Sequence, residues 1–228
     1  MLRRVTASSH VCSRARGASQ DGTLCGVRLQ VDELARRIGA VNTLVRRADG
    51  TLKGHNTDCG AALDAIESGL GESVAGKTVL VVGAGGAGRA VAFGASHRGA
   101  RVLVANRNDA RAATLAADVG AEAVPWSDLQ SGAVRADVLA NTTSVGMQPD
   151  VESTPVPAAA LAGFKLVFDA VYTPLETRLL REARAAGAIA VNGVDMFVGQ
   201  AAEQFKLFTG RPAPIDLMRR TLLDAMSK

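Results

Sequence analysis

Paired cysteines, clustered histidines and long apolar runs are all missing from this chain of 228 residues. Cys12, Cys25 and Cys59 are odd in number and form no C-x-x-C spacing, so neither a disulfide framework nor a structural zinc site follows. His10, His55 and His97 are scattered, and no G-x-S-x-G turn is present, which leaves a hydrolytic triad without a starting point. Every apolar stretch is broken by Gly, Arg or Asp within about a dozen residues, short of the ~20 that a membrane helix needs. A soluble protein with no membrane partner is expected. Acidic residues are also missing from the first twenty positions, which carry Arg3, Arg4, Arg14 and Arg16. The net charge of +4 therefore resides in that leader, and the rest of the chain is neutral. A nucleic-acid binder needs a basic face on its folded part, so that class is excluded. The Arg- and Ser-rich leader fits an organelle transit peptide, and equally an unstructured start or a misplaced start site in a shortened gene.

What the chain does contain is enough apolar sequence, 47% of residues, to bury the core of one or two domains. In "VDELARRIG" the residues Val31, Leu34, Ala35 and Ile38 fall on one helical face, with Gly39 as a stop. "AVNTLVRR" and "TLKGHN" are short β-type runs joined through Ala48, Asp49 and Gly50, a hairpin signal. Thr57 or Asp58 can cap the next helix, "CGAALDAIESGL", which closes on Gly69 and Gly71. After the linker "GESVAGK" the rhythm changes. The runs "TVLVVG", "RVLVAN", "ADVLANT", "LVFDAVY" and "AIAVNG" read as strands, and "GRAVAFGASHRG", "DARAATLAADVG" and "PLETRLLREARAAG" read as the helices between them. Short strands that are apolar on both faces and alternate with helices predict an α/β fold with a doubly wound parallel sheet. Two further helices are expected at about residues 194 to 209 and 214 to 226, packing back toward the N-terminal part.

"TVLVVGAGGAGRA" places Gly83, Gly85 and Gly88 in G-x-G-x-x-G register, directly after a strand and opening a helix. The first glycine permits a tight turn, the second lets the backbone approach a pyrophosphate, and the third allows close helix-to-sheet packing. With strand, helix and next strand all in place, dinucleotide binding is favoured over a structural turn. An NAD site presents an Asp or Glu about twenty residues on, to hold the ribose hydroxyls. Here the second strand ends in Asn106 and Arg107, with Arg111 one turn later. Two forked guanidinium groups suit a 2′-phosphate, so NADP is the expected cofactor. Cations at a helix start oppose the helix dipole unless an anion is present, although Asp109 softens that objection.

The segments "IGAVNTLV", "GHNTDCGA", "VVGAGGAGRA", "ANRNDARA", "NTTSVGMQP", "FDAVYTPLETRLL" and "NGVDMFVGQAAEQFKLFTG" follow the order and approximate spacing of the shikimate dehydrogenase family. From about Asp32 onward the chain resembles that family, and most of all the dehydrogenase half of the plant-type bifunctional dehydroquinate dehydratase and shikimate dehydrogenase. The resemblance implies NADP-dependent interconversion of shikimate and 3-dehydroshikimate, on the route to aromatic amino acids. It implies that Asn42, Asp58, Tyr172 and Gln200 contact the substrate, with Asp58 sharing in proton transfer. It also implies that Gly83, Ala84, Gly85, Gly86, Ala87 and Gly88 hold the pyrophosphate, and Asn106, Arg107 and Arg111 the adenosine phosphate. Met147, Ala170 and Gly193 would lie near the nicotinamide. The family pattern has Thr where this chain has Asn108, and an amide there can still donate a hydrogen bond. With the transit-like leader, the resemblance implies a plastid location, and otherwise a cytoplasmic one.

In the family a lysine from an N-x-T-x-P-x-K segment works with the "NTD" aspartate, and paired serines clamp the substrate carboxylate. Neither has a counterpart here, and the stretch around Asp21 where the lysine is expected has none. Lys53, at the far end of the hairpin, reads as a surface lysine. The expected organisation is a basic leader at 1–20, a truncated substrate domain at 21–75, a Rossmann NADP-binding domain at 76–193 and returning helices at 194–228. A substrate domain this small is expected to leave apolar surface that invites association or instability. The rivals to an active shikimate dehydrogenase are quinate dehydrogenase and a catalytically impaired NADP-binding fragment.

Overall fold

The computed structural model describes residues 20–24 and 26–226. Most of the basic leader, with His10 and Cys12, and also Cys25, lie outside the described residues. Two sheets organise the rest. The first has four strands, β1 (Gly22–Leu24), β2 (Val27–Val31), β3 (Thr43–Arg46) and β4 (Leu52–His55), in the order β1-β2-β4-β3. β2 runs parallel to β4, while the β1/β2 and β3/β4 pairs are antiparallel.

Strand β1 and strand β2 have no counterpart in the sequence reading, because Val31 completes an apolar helical pattern that runs across the true boundary. Val31 closes β2 instead. The helix α1 (Glu33–Ile38) starts where Asp32 accepts a hydrogen bond from the Ala35 amide at 2.7 Å, and it stops at Gly39 in the left-handed region. Of the expected apolar face, Ala35 and Ile38 are buried while Leu34 is 42% exposed. The β3–β4 hairpin forms as expected: the Asp49 carboxylate accepts from the amide and hydroxyl of Thr51, and Gly50 takes a positive φ.

The second sheet is wholly parallel. Its strands are β5 (Thr78–Val82), β6 (Arg101–Ala105), β7 (Glu122–Ala123), β8 (Val138–Asn141), β9 (Leu166–Asp169) and β10 (Ile189–Val191). They lie in the order β10-β9-β8-β5-β6-β7, so the chain starts in the middle and winds outward in both directions. That is the doubly wound α/β fold, with its switch point between β5 and β8. β5, β8 and β9 are buried almost throughout, which is why they read as unbroken apolar runs. The two-residue β7 and the short helix α5 (Trp126–Ser131) are exposed for much of their length and carry no periodic signal.

Helices α3 (Gly86–His97), α4 (Asp109–Val119) and α6 (Arg178–Ala185) cover the parallel sheet. α6 starts later than "PLET" suggests, because Thr177 caps it by accepting from the Leu180 amide at 3.3 Å. Helix α2 (Asp58–Leu70) connects the two sheets, and Gly71 rather than Gly69 ends it. Gly69 stays inside the helix for another reason: a side chain there would meet Val191 at 2.5 Å and Leu166 at 2.9 Å. α7 (Val194–Thr209) lies along α2 and reaches β3, and α8 (Ile215–Met226) lies on α7.

One large core lies between the parallel sheet and helices α2 and α3, and a second lies on the opposite face under α5 and α6. The first sheet contributes only a small cluster, whose buried members are Leu29, Val31 and Ala35. No residue of α8 is buried, and its Ile215, Leu217 and Leu223 are exposed. Phe168, fully buried on β9, belongs to the larger core. Phe168→Ala is expected to destabilise the protein by about 3–5 kcal/mol, as removal of a buried aromatic does. Urea unfolding monitored by circular dichroism measures this, and a loss under about 1 kcal/mol would contradict the assigned core.

Candidate functional site

The glycine turn between β5 and α3 is built for a backbone that must come close to something. Gly83 has φ +111°, and a side chain there would lie 2.8 Å from the Thr142 hydroxyl. At Gly88 a Cβ would stand 2.1 Å from the Gly83 carbonyl oxygen, so only hydrogen is tolerated. Gly85 and Gly86 face open space instead, with nothing within 4 Å of a Cβ built on either. Their small size therefore leaves room outside the fold. Gly85 caps α3 with no side-chain hydrogen bond, so the first amides of a twelve-residue helix point outward from that open face. Free amides and the positive end of the helix dipole together favour an anion such as a pyrophosphate.

Asn106, at the end of β6, is tied on both sides. Its side-chain oxygen accepts from the Ala84 amide at 3.3 Å, and its amide nitrogen donates to the Asn108 carbonyl at 3.0 Å. Asn106 thus holds the glycine turn against the β6–α4 turn. Asn108 caps α4, accepting from the Arg111 amide at 3.2 Å, a task that Thr performs equally well. Arg107 and Arg111 are exposed, and among the described residues neither is in an ion pair. By contrast, Arg89 is paired with Asp118 and Arg101 with Glu122. A pair of unmatched guanidinium groups beside the amide end of α4 fits a phosphate dianion.

Asp58 occupies the first turn of α2, but it does not cap the helix. Thr57 stands at the N-cap without a side-chain hydrogen bond to the helix, and the buried Asn56 before it does the capping, its side-chain oxygen accepting from the amides of Asp58 and Cys59, each at 3.1 Å. The Asp58 carboxylate is left free for other work. Burial pushes its pKa upward, and a hydrogen bond from Asn42 partly offsets this. No charged group contributes to that shift, so no cation faces Asp58 among the described residues.

Around Asp58 lies a network of uncharged polar groups. Asn42 accepts from the Thr43 hydroxyl at 2.8 Å and from the Thr57 amide at 3.0 Å, and donates to the Thr57 hydroxyl at 3.0 Å. Gln204, from α7, donates to the Thr43 hydroxyl at 3.1 Å and to Gln200 at 2.7 Å. Asn42 and Gln200, 158 positions apart in sequence, are thereby joined through Gln204. Thr43 and Gln204 went unnoticed in the sequence and Thr57 was read only as a cap, although Gln204 follows Gln200 by one helical turn and so shares its face. Behind Asp58, the His55 ring is paired with Asp32, so the start of this segment is anchored to the α1 cap. His55 has a lowered pKa because burial outweighs the pull of Asp32.

The remaining candidates lie on the loops that follow β8 and β9. The ring of Tyr172 lies 4.5 Å from that of Phe197, whose carbonyl accepts from Gln200 at 3.0 Å, so Tyr172 adjoins the amide network. Gly193 abuts the Ala170 carbonyl, where a Cβ would lie at 2.4 Å. Met147 is 40% exposed, and its loop is joined to the Tyr172 loop by the Gln148 amide donating to the Thr173 carbonyl at 3.3 Å. Lys53 does not join this group: it is half-buried on β4, and its charge acts on His55. A separate cleft of about 630 Å³, where α1 meets α3, contains none of these residues, and its Arg36 and Arg89 are already paired with Asp21 and Asp118. Among the described residues there is no metal-ligating cluster, and no helix is long and apolar enough to cross a membrane.

Comparison with known proteins follows the same outline. Residues 65–155 match the family model described as shikimate / quinate 5-dehydrogenase, and residues 193–223 match that of the shikimate 5′-dehydrogenase C-terminal domain. The chain is 54% identical over 202 residues to the chloroplastic bifunctional 3-dehydroquinate dehydratase/shikimate dehydrogenase of Arabidopsis thaliana. That alignment covers 82% of this chain and 34% of the Arabidopsis protein, so the chain spans about a third of that relative. It is 47% identical to shikimate dehydrogenase (NADP(+)) of Methanosarcina acetivorans, over 87% of this chain and 73% of that one. Among solved structures, shikimate 5-dehydrogenase of Thermus thermophilus in complex with NADP(H) and shikimate superposes with a TM-score of 0.76 at 36% identity, covering 92% of this chain and 83% of that one.

Replacing the α2 cap tests the geometry directly. Asn56→Ala is expected to cost about 1 kcal/mol, and up to ~2, for removing the one oxygen that accepts from two backbone amides at a buried helix start. Thermal unfolding reads the loss, and an unchanged midpoint would mean that Asn56 does not do the capping.

Proposed function

The chain belongs to the shikimate dehydrogenase family, and from that premise we propose that it catalyses the NADP-dependent interconversion of 3-dehydroshikimate and shikimate. The observation that carries this reading is the pairing of a side-chain-free glycine cradle and two unmatched arginines with a desolvated carboxylate set in a network of amides and hydroxyls. In this reading residues 76–193 form the cofactor domain, 21–75 belong to the substrate domain, and 194–228 return to it. A plastid location accords with the chloroplastic relative and with the leader's composition.

The cradle at Gly83, Ala84, Gly85, Gly86, Ala87 and Gly88 would hold the pyrophosphate through the first amides of α3. Arg107 and Arg111 would take the 2′-phosphate, with Asn106 keeping the two turns in register. Met147, Ala170 and Gly193 would border the nicotinamide, which supplies the hydride when bound. Asn42, Tyr172 and Gln200 would orient a polyhydroxylated ring, since amides can donate to one hydroxyl and accept from the next. Asp58 would give or take the proton on the oxygen borne by the ring carbon that exchanges the hydride. A buried carboxylate keeps its proton to a higher pH than a solvated one, as a group that must both give and accept a proton requires.

A second reading rests on the absence of any cation facing Asp58 among the described residues. With no positive charge to balance it, the carboxylate favours its protonated form, and shikimate oxidation, which needs the base, slows. The chain would then bind NADP with impaired turnover. The two readings part in one pair of measurements, NADPH titration by quenching of the single Trp126 and an NADP-coupled assay with shikimate and with quinate. Binding accompanied by shikimate turnover supports the enzyme, and binding without turnover supports the second reading.

Changing Arg107 and Arg111 together to Ala is expected to weaken NADPH more than about tenfold while leaving NADH unchanged, because each charge-assisted hydrogen bond contributes ~1.5–3 kcal/mol. Equal weakening of both cofactors would refute the phosphate assignment. Asp58→Asn is expected to lower kcat by about 10²–10⁴. In the native chain, oxidation should rise with pH through an inflection above the ordinary carboxylate range, and that limb should vanish in the Asn variant. A limb retained by the variant belongs to some other group.

A further inference from the structure

Asp169, the last residue of β9, is fully buried and stands beside Asn141, the last residue of β8. Three groups donate to its carboxylate: the Asn141 amide at 2.9 Å, the Val171 backbone amide at 3.0 Å and the Thr177 hydroxyl at 2.7 Å. Each donor continues into a loop. Asn141 accepts from the amide and hydroxyl of Thr143, at 3.0 and 2.8 Å, and that hydroxyl accepts from the Val145 amide at 3.2 Å. Thr177 caps α6 and so ends the segment 170–177, which carries Tyr172. One carboxylate therefore ties together the loops after β8 and β9, at the carboxyl ends of the strands where a doubly wound sheet places its ligands.

Asp169 is not needed as a structural counter-ion, because no charged side chain acts on it among the described residues; its neighbours on β8, the following loop and the α6 cap are all neutral donors. All three donate to the ionised form. Protonation would place an O–H on Oδ2, the oxygen that accepts from Thr177 alone, so the Thr177 hydroxyl would have to share that oxygen or reverse from donor to acceptor, and its hold on the carboxylate would weaken. We propose that Asp169 is a positioning residue whose ionised carboxylate holds the loops 142–147 and 170–177 in register, so that the placement of Tyr172 switches with the protonation of this one buried group. The ligand consequence rests on the dehydrogenase reading, whereas the placement of Tyr172 does not.

The window lies in an accessible range, since burial pushes the Asp169 pKa up to about 6 against the pull of its three donors. The ionised, loop-holding form is present above that pH and is lost as pH falls through it. Two other groups of this region titrate, Asp58, pushed upward by burial, and His55, pushed downward.

Tyr172 is the only tyrosine, so carbon-13 tyrosine gives one ring signal that reports on its loop. In the Asp58→Asn background, which removes the other carboxylate of the region pushed upward by burial, that signal is expected to shift with an inflection near pH 6. With Asp169→Asn added, the inflection should disappear. An inflection that survives Asp169→Asn, or its absence from the Asp58→Asn protein, overturns the proposal. Should Asp169→Asn fail to fold, Thr177 decides. Thr177→Val removes a donor that favours the ionised form and should move the inflection to higher pH, while Thr177→Ser should leave it in place. Identical curves for the two variants overturn the proposal as well. NADPH titration in parallel separates the two readings: affinity should fall below the inflection in the native chain and not in Asp169→Asn. Absence of NADPH binding at every pH would sink the cofactor reading while the Tyr172 signal still judges this one.

Discussion

Helix α2 is packed at distances that admit no extra carbon, and the arrangement of the molecule depends on that contact. A side chain at Gly94 on α3 would lie 2.7 Å from Leu63 and 2.9 Å from the Cys59 sulfur, while one at Gly69 would strike Val191. Dense packing of this kind leaves a helix one position rather than a range of positions. The contact is reinforced by Arg98, the C-cap of α3, which pairs with Asp64 at 2.6 Å and with Glu67. Since Asp58 begins α2 and the glycine cradle begins α3, fixing one helix against the other fixes the candidate carboxylate relative to the candidate cofactor turn. Cys59 follows from the same packing. It is a buried filler whose thiol is pushed up to about 11, too protonated to act as a nucleophile.

The two halves of the site use opposite chemistry. On the proposed cofactor side the groups are backbone amides and exposed guanidinium groups with no ion pair among the described residues, open to an anion. On the substrate side the groups are uncharged and mutually hydrogen-bonded, and the single carboxylate is half-buried. A charged group there without a partner shifts its pKa rather than remaining ionised at any cost. Asp58 and Asp169 are both pushed upward for that reason. They differ in solvent access: Asp169 is sealed, which suits it to holding loops, while Asp58 is reachable, which suits it to handling a substrate proton.

Much of this was legible in the sequence wherever a local rule coincided with a global one. The buried strands of the parallel sheet declare themselves as apolar runs, and G-x-G-x-x-G keeps its meaning because the turn it describes is a local steric problem. The failures share one cause. Val31 reads as helical because Leu34, Ala35 and Ile38 continue its spacing, and only pairing with Gly54 on β4 makes it a strand residue. Asp58 and Thr57 read as caps because their types are right, and Thr57 does stand at the N-cap, yet the buried Asn56 before it supplies the capping hydrogen bonds. β7 and α5 are too short and too exposed to leave a pattern.

The sequence by itself therefore determined the doubly wound sheet, the glycine cradle and the pair of exposed arginines proposed to meet a phosphate, since each arises from steric or charge rules read from local patterns. Tertiary structure alone decided which polar groups meet. Asn42 is joined to Gln200 through Gln204, Thr43 and Thr57, and Asp169 to Asn141 and Thr177, by hydrogen bonds between distant parts of the chain. Such bonds have no period and no spacing. They exist because a polar group taken out of water must find a partner, and which partner lies within reach is settled only when the helices and strands have packed.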